Sequence, residues 1–213
     1  MSSTFAWPDT PNRLREFAAN GEPTLDVERG VFFRGDDDDR AEFHPPLVLG
    51  PRGATASVDD YLRAWTGELP SCCIVLLRAG ATAIGLWHGT ELIAHKAFKK
   101  YVVRGHGKAQ ATHLSSKGKS RYGSRLRLQN AKRQLEETNE RLTDWRDAHG
   151  AADVVLYSAP VRLWPDLFAV APPPPFERQT AVRIPAHVHT PTHEELLRVR
   201  RVCLRGRVVE PGD

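Results

Sequence analysis

The residues from Gly105 to Gly123 hold the types best suited to chemistry on a phosphate-rich substrate. They comprise four glycines, several serines, spaced cations and a single glutamine, Gln110. Gly105-His106-Gly107-Lys108-Ala109-Gln110 comes within one residue of the dinucleotide-binding G-x-G-x-x-G. The third glycine is replaced by Gln110, the segment does not open a helix directly, and no acidic residue follows about 20 positions on, so the cofactor reading fails. No G-x-x-x-x-G-K-[S/T] occurs, and no cofactor is expected. What remains is a Gly-rich backbone able to approach a ligand closely, with cations to neutralise phosphate. Only Tyr101 and Tyr122 lie nearby, so base stacking is poorly supported. Shape and phosphate recognition of a structured RNA fits better. The plainer alternative is a basic loop that binds RNA and catalyses nothing.

Charge distribution supports the same partner. The 213 residues carry 30 Lys and Arg against 26 Asp and Glu, a formal net charge of +4. From Lys96 to Arg133 there are 12 cations and no acid, which leaves the remaining chain at −8. Single-sign blocks of this kind are interaction surfaces for a polyanion. Lys99, Lys100, Arg104, Lys108, Lys117, Lys119, Arg121 and Arg125 are placed along the two stems of the expected loop.

Other candidate sites are weaker. His187, His189 and His193 form an H-x-H-x3-H set without a paired carboxylate or Cys, so they are read as surface and packing histidines and no metal is expected. Asp36 to Asp39 are four consecutive acids pointing in different directions, unlike the spaced ligands of a calcium loop. No G-x-S-x-G is present. The adjacent Cys72 and Cys73 fall in an apolar run without a cationic neighbour, and three cysteines make no disulfide framework, so reduced packing residues in a cytoplasmic protein are expected.

Bulk composition places these residues in an ordinary globular chain, 40% hydrophobic and 26% charged. The longest apolar run, Cys72 to Leu77, is far short of the ~20 residues that span a bilayer, so no membrane partner is expected. Met1 to Thr10 lacks a basic start followed by an apolar stretch, and no secretory leader is expected.

Three strands are predicted at Cys72 to Arg78, Thr82 to His88 and Glu91 to Phe98, joined by Gly-containing turns as antiparallel hairpins. The third is expected to continue through Tyr101 to Arg104, followed by a structureless basic loop over 105–123. Ser124 to His149 then reads as one helix, with an apolar stripe of Leu126, Ala131, Leu135, Leu142 and Trp145 and Gly150 at its end. A buried strand from Asp153 to Tyr157 makes that helix a crossover. A short helix at Trp164 to Val170, a stiff linker at Pro172 to Pro175, a strand at Thr180 to Ile184, a helix at Thr192 to Arg201 and a closing strand at Val202 to Val209 complete this part. Residues 1–56 are weakly patterned, with a helix at Arg13 to Ala19 and a strand at Val31 to Phe33, and are treated as a partly structured N-terminal segment. Ser57 caps a helix that leads into Tyr61 to Trp65 and opens the main domain, 57–213. The fold class is therefore α/β, a mixed β-sheet with flanking helices and a long basic loop.

His95-Lys-Ala-Phe98, Tyr101-Val-Val-Arg104, Gly107-Lys-Ala-Gln110 and Ser120-Arg-Tyr-Gly123, followed by Leu126-Arg127 and Asn130, resemble the Vms-like release-factor domain. That domain is related to the catalytic domain of eukaryotic and archaeal class I release factors. Thr190-Pro-Thr-His-Glu-Glu195 with Arg198-Val199 is similar to the family's closing segment, and the resemblance spans roughly residues 70–209. It implies a release-factor-like, RNase H-like fold and hydrolysis of peptidyl-tRNA on the large ribosomal subunit, with rRNA and peptidyl-tRNA as partners of a monomer. A short form of this kind resembles the bacterial, particularly the actinobacterial, branch.

The resemblance further implies Gln110 as catalytic, with Gly107 and Ala109 shaping its G-x-x-Q segment. Lys99, Lys100, Arg104, His106, Lys108, His113, Lys117, Lys119, Arg121, Arg125 and Arg127 would then contact RNA. The ester joining peptide to tRNA is activated, so its hydrolysis needs chiefly a placed water and oxyanion stabilisation. Gln has no useful pKa and cannot act as a general base. Its side chain can orient or exclude water, and its backbone N–H can face the oxyanion, a contact worth roughly 2.7–4 kcal/mol in other enzymes. Some relatives are thought to cut tRNA near its 3′ CCA end instead. His106 or His113 would then serve as acid or base, because His titrates near neutral pH.

Overall fold

In the computed structural model the described residues are 2–36, 39–51, 55–102 and 117–211, with 117–124 described by backbone alone. Along the chain run β1 (Ser2–Ala6), α1 (Thr10–Ala19), β2 (Thr24–Asp26), β3 (Val31–Arg34), β4 (Ala41–His44), α2 (Val58–Arg63) and β5 (Cys72–Arg78). There follow β6 (Ala81–His88), β7 (Glu91–Lys99), α3 (Lys117–His149), β8 (Val154–Ser158), α4 (Leu163–Ala169), β9 (Val182–Arg183), α5 (His193–Cys203) and β10 (Arg205–Val209). The chain divides into two units, one of residues 1–71, 88–90 and 197–213, the other of 72–87 and 91–196.

The first unit is built on a five-stranded antiparallel sheet in the order β1-β10-β4-β3-β2. Residues 1–56 thus supply four of its strands, and the fifth comes from the end of the chain: Ser2 pairs with Val209 and Ala6 with Arg205. The contacts therefore do not part at residue 56. The closing strand is also shorter than expected, because α5 continues to Cys203 before β10 begins. Aromatic rings fill the core: Phe43 lies 5.2 Å from Phe5 and 5.8 Å from Phe17 between ring centroids, and Phe32 meets Tyr61 edge-on at 5.6 Å. Ser57 caps α2 by accepting from the Asp60 N–H at 3.1 Å, as its sequence pattern predicts.

On this sheet Glu42 gathers three partners. Arg29 holds both carboxylate oxygens, Arg40 Nε lies at 3.1 Å, and His44 Nε2 at 2.8 Å. The Arg29 bond, ahead of every other influence, lowers the Glu42 pKa to about 2. A depressed folded-state pKa gives stability that is complete above the unfolded value of about 4.3 and is lost as pH falls through the folded one. The urea midpoint of the protein is therefore expected to drop between pH 5 and pH 2.5, and Glu42→Gln to shrink that drop. An equal drop in both proteins would remove Glu42 as its source.

The second unit carries the order β7-β6-β5-β8-β9. β5 and β6 pair antiparallel, from Cys72 opposite Trp87 to Arg78 opposite Ala81. The two-residue connection Gly89-Thr90 leaves only antiparallel pairing for β6 and β7. α3 then crosses over so that β8 lies parallel to β5, and β9 lies parallel to β8. This is a mixed sheet with flanking helices. Cys73, Val75 and Leu77 face a core shared with Ile84, Leu86, Leu135, Leu142, Val155, Trp164 and Leu167. Ile74 and Leu76, pointing oppositely, are also fully buried, which is why the run is apolar without alternation.

The proline run is part of this packing. Asn139 Nδ2 donates to the carbonyls of Leu167 and Pro172 at 2.8 and 2.7 Å. Phe176, just after the prolines, stacks near Trp164 at 6.2 Å and meets Phe168 edge-on at 5.9 Å. Pro172 to Pro175 is therefore laid onto the unit's own core rather than serving as a linker. Cys72, Cys73 and Cys203 are buried and form no disulfide, and burial pushes the Cys73 thiol far above its usual range.

Candidate nucleic-acid interface

The candidate interface residues that the structure describes lie on two elements, the end of β7 and the first half of α3. β7 ends at Lys99 rather than running on to Arg104. The helix starts at Lys117, so residues 117–123 of the expected loop are helical. Gly118, Ser120 and Gly123 read as loop in the sequence, since each helical Gly costs about 1 kcal/mol relative to Ala. A helix already nucleated downstream extends across such residues one hydrogen bond at a time. Over 33 residues it reaches roughly 50 Å at 1.5 Å per residue.

Side-chain burial along α3 begins only at Gln134 among its described residues. Before it, Arg125, Leu126, Leu128 and Gln129 are exposed and Arg127 is half-buried. Leu126, which the expected apolar stripe includes, is thus outside the core, whereas Leu135 and Leu142 are in it. The first turn carries no acid. Cations concentrate at the helix start, where the positive end of the helix dipole disfavours them. That electrostatic cost is relieved when a polyanion is bound.

Lys99 is exposed, while Lys100 is held by an ion pair to Glu137 and lies 5.5 Å above the Phe98 ring. The two neighbouring lysines therefore differ in what their charge can do. Lys117, Lys119 and Arg121 sit in the first turns of α3 by their backbone. Arg104, His106, Gly107, Lys108, Ala109, Gln110 and His113 lie outside the described residues.

Two points of the stem are fixed by hydrogen bonds. The Lys100 N–H donates to the Gly80 carbonyl at 2.8 Å, and Asn130 Nδ2 donates to the Tyr101 carbonyl at 2.9 Å. Gly80, in the turn between β5 and β6, has φ +80°, and a Cβ there would sit 2.7 Å from the Lys100 carbonyl oxygen. Only glycine meets both conditions at low cost. Gly80→Ala is expected to cost about 1–3 kcal/mol in urea unfolding through backbone strain and displacement of the strand end. A change below about 0.5 kcal/mol, within the range of ordinary surface substitutions, would contradict this packing.

Behind the stem lies a buried polar cluster on α3. Gln134 Oε1 accepts from the Gly80 N–H at 2.9 Å, and Nε2 lies 2.9–3.0 Å from the Arg78 carbonyl, the Ala81 carbonyl and Thr82 Oγ1. Thr138 Oγ1 donates to the Gln134 carbonyl at 2.8 Å. Hydropathy patterning missed these residues because it assigns polar side chains to solvent. Their signal is the spacing Asn130, Gln134, Thr138, one polar uncharged residue every four along a helical face.

The histidines fall in two pairs. His187 and His189 meet edge-on at 4.8 Å, and the His193 ring lies tilted by 33° against that of His95 at 4.0 Å. The pKa of His95 is lowered by burial first and by His193 second. Among the described residues no group of three or more His, Cys, Asp or Glu could hold a metal ion, and no helix is long and apolar enough to cross a membrane.

A family model described as Bacteroidetes VLRF1 release factor matches residues 57–210. The chain belongs to this release-factor family, in agreement with the resemblance carried by the segments around Gln110 and Asn130. It is 32% identical over 169 residues to the tRNA endonuclease ANKZF1 of Bos taurus, an alignment covering 71% of this chain and 23% of that protein. The chain therefore spans less than a quarter of that relative's length. Among solved structures it is similar to the Vms1 mitochondrial localization core, with a TM-score of 0.50 at 9% identity over 92% of this chain and 81% of that one. At that identity the likeness is one of fold.

Proposed function

We propose that the protein is a ribosome-dependent peptidyl-tRNA hydrolase that frees nascent chains from stalled large-subunit complexes, with Gln110 at the reacting ester. The observation that carries this reading is membership of a release-factor family over residues 57–210, a span that contains Gly107-Lys-Ala-Gln110 inside the acid-free basic block. Water adds to the ester carbonyl carbon, the bond to the ribose 3′ oxygen breaks, and the products are a carboxylic acid and a tRNA with a free 3′ hydroxyl. The Gln110 side chain orients the water, and its backbone N–H stabilises the oxyanion. Gly107 and Ala109 keep the segment slim enough for the peptidyl-transferase region. Lys99, Arg104, His106, Lys108, His113, Lys117, Lys119, Arg121, Arg125 and Arg127 hold it on RNA phosphate, while Lys100 acts through the stem. Much of the remaining acceleration is positional.

The succession of two hairpins, a crossover helix and two strands parallel to β5 supports an RNase H-like reading of the second unit. The protein acts as a cytoplasmic monomer in this proposal, with residues 57–213 as its catalytic part and 1–56 completing the first sheet.

A second reading is favoured by the relative named a tRNA endonuclease. Here His106 or His113 would serve phosphodiester cleavage near the tRNA 3′ end. Purified protein added to stalled large-subunit complexes decides whether there is catalysis at all. Peptide release above the protein-free control is expected. Binding without release or tRNA cleavage would leave an RNA-binding factor that only occupies the site.

A further inference from the structure

We propose that Asn130 and Gln134 are positioning residues, which fix the chain on both sides of the basic segment to the single turn at Gly80. This rests on the assignment of peptide release to Gln110. A side-chain amide as buried as Gln134, 1% exposed, loses its hydration and recovers it only through complete hydrogen bonding. Gln134 achieves this with partners drawn entirely from one turn: Arg78, Gly80, Ala81 and Thr82. A leucine would fill a similar volume without needing any of those groups. The amide adds direction, because its acceptor and donors admit one rotation and one height of α3 over the turn.

The same turn holds the other side of the segment. The Gly80 carbonyl receives the Lys100 N–H, and Gly80 packs against the Lys100 carbonyl too closely for any Cβ. One helical turn before Gln134, Asn130 takes the Tyr101 carbonyl, and one turn after it Glu137 takes the Lys100 ammonium. Asn130 and Glu137 thus hold Tyr101 and Lys100, the two residues that follow β7, and Gln134 between them holds the turn to which Lys100 is bonded. The points where the chain departs at Tyr101 and resumes along α3 have one relative placement. Such a device acts on how often a bound segment meets the ester correctly, where small misplacements cost large factors in rate. It touches neither tRNA nor ribosome, so affinity is left to the cations.

The test uses the full chain with Asn130→Ala and Gln134→Leu beside wild type. Asn130→Ala removes a bond at the periphery and leaves the core packing in place, so it guards against a Gln134→Leu protein that fails to fold. In single-turnover release at saturating enzyme, Asn130→Ala is expected to lower the rate at least tenfold and to leave the half-saturating concentration within twofold. A rate within twofold of wild type, or a loss confined to the half-saturating concentration, overturns the proposal. Amide hydrogen exchange on the free protein supplies the readout that does not need activity. The Lys100 amide is expected to exchange at least fivefold faster in Asn130→Ala, and an unchanged rate overturns the tether. If wild type releases no peptide, the assignment of activity to Gln110 fails while the exchange measurement still decides the tether.

Discussion

Gln110→Ala is expected to lower single-turnover peptide release by about 10²-fold, the size of loss that follows when a reacting group is misplaced by about 1 Å. Ribosome binding should stay within about twofold, because an uncharged residue releases no counterions. The substitution keeps the backbone N–H, so the loss measures the side chain's part in placing water. If release persists unchanged, Gln110 does not face the ester. If binding falls together with release, Gln110 is an anchor and the chemistry lies elsewhere.

The second large effect is ionic. A protein neutralising six to ten phosphates loses about 10³–10⁵ in affinity between 50 and 200 mM salt. The basic block from Lys96 to Arg133 has cations enough for that range. Reversing Lys117, Lys119 and Arg121 to Glu is expected to flatten the log–log salt slope by roughly 2–3, near 0.7–0.9 per lost contact. The two lysines closing β7 refine the expectation. Lys99 is exposed, so Lys99→Ala should lower the slope by about 1. Lys100 already neutralises Glu137, so Lys100→Ala should leave the slope nearly unchanged while loosening the stem. Equal slopes for wild type and the triple reversal would remove these positions from the interface.

Much of the second unit is legible in the sequence. Cys72 to Arg78 reads as a doubly covered strand because it is apolar on both faces, and Gly-containing turns of two residues leave β5, β6 and β7 no other arrangement. The start of α3 is not legible, since Gly118 and Gly123 resemble loop residues and only the continuing helix overrides them. The first unit is harder still. β2 and β4 are three and four residues long, and β10 joins β1 across some 200 positions, a pairing that no local window contains. For the site, charge alone exposes the basic block. Gln134 stays hidden because its reason for being polar lies in the backbone of a turn more than 50 residues earlier.

That division is itself physical. The basic block and Gln110 are recognised from composition and motif, because a polyanion is bound by side chains that need no particular core. Asn130, Gln134 and Gly80 act through geometry, and their roles emerge only when the turn, the strand end and the helix are brought together. The region most open to sequence reading and the region most dependent on the fold meet at Tyr101.

The most direct test of the central claim is the state of the tRNA recovered after wild-type protein has released a nascent chain from stalled large-subunit complexes. Ester hydrolysis predicts tRNA of full length with its 3′ CCA intact, resolved on a denaturing gel and competent for re-aminoacylation. A tRNA shortened at its 3′ end, appearing at the same rate as the released peptide, would contradict ester hydrolysis and establish phosphodiester cleavage instead.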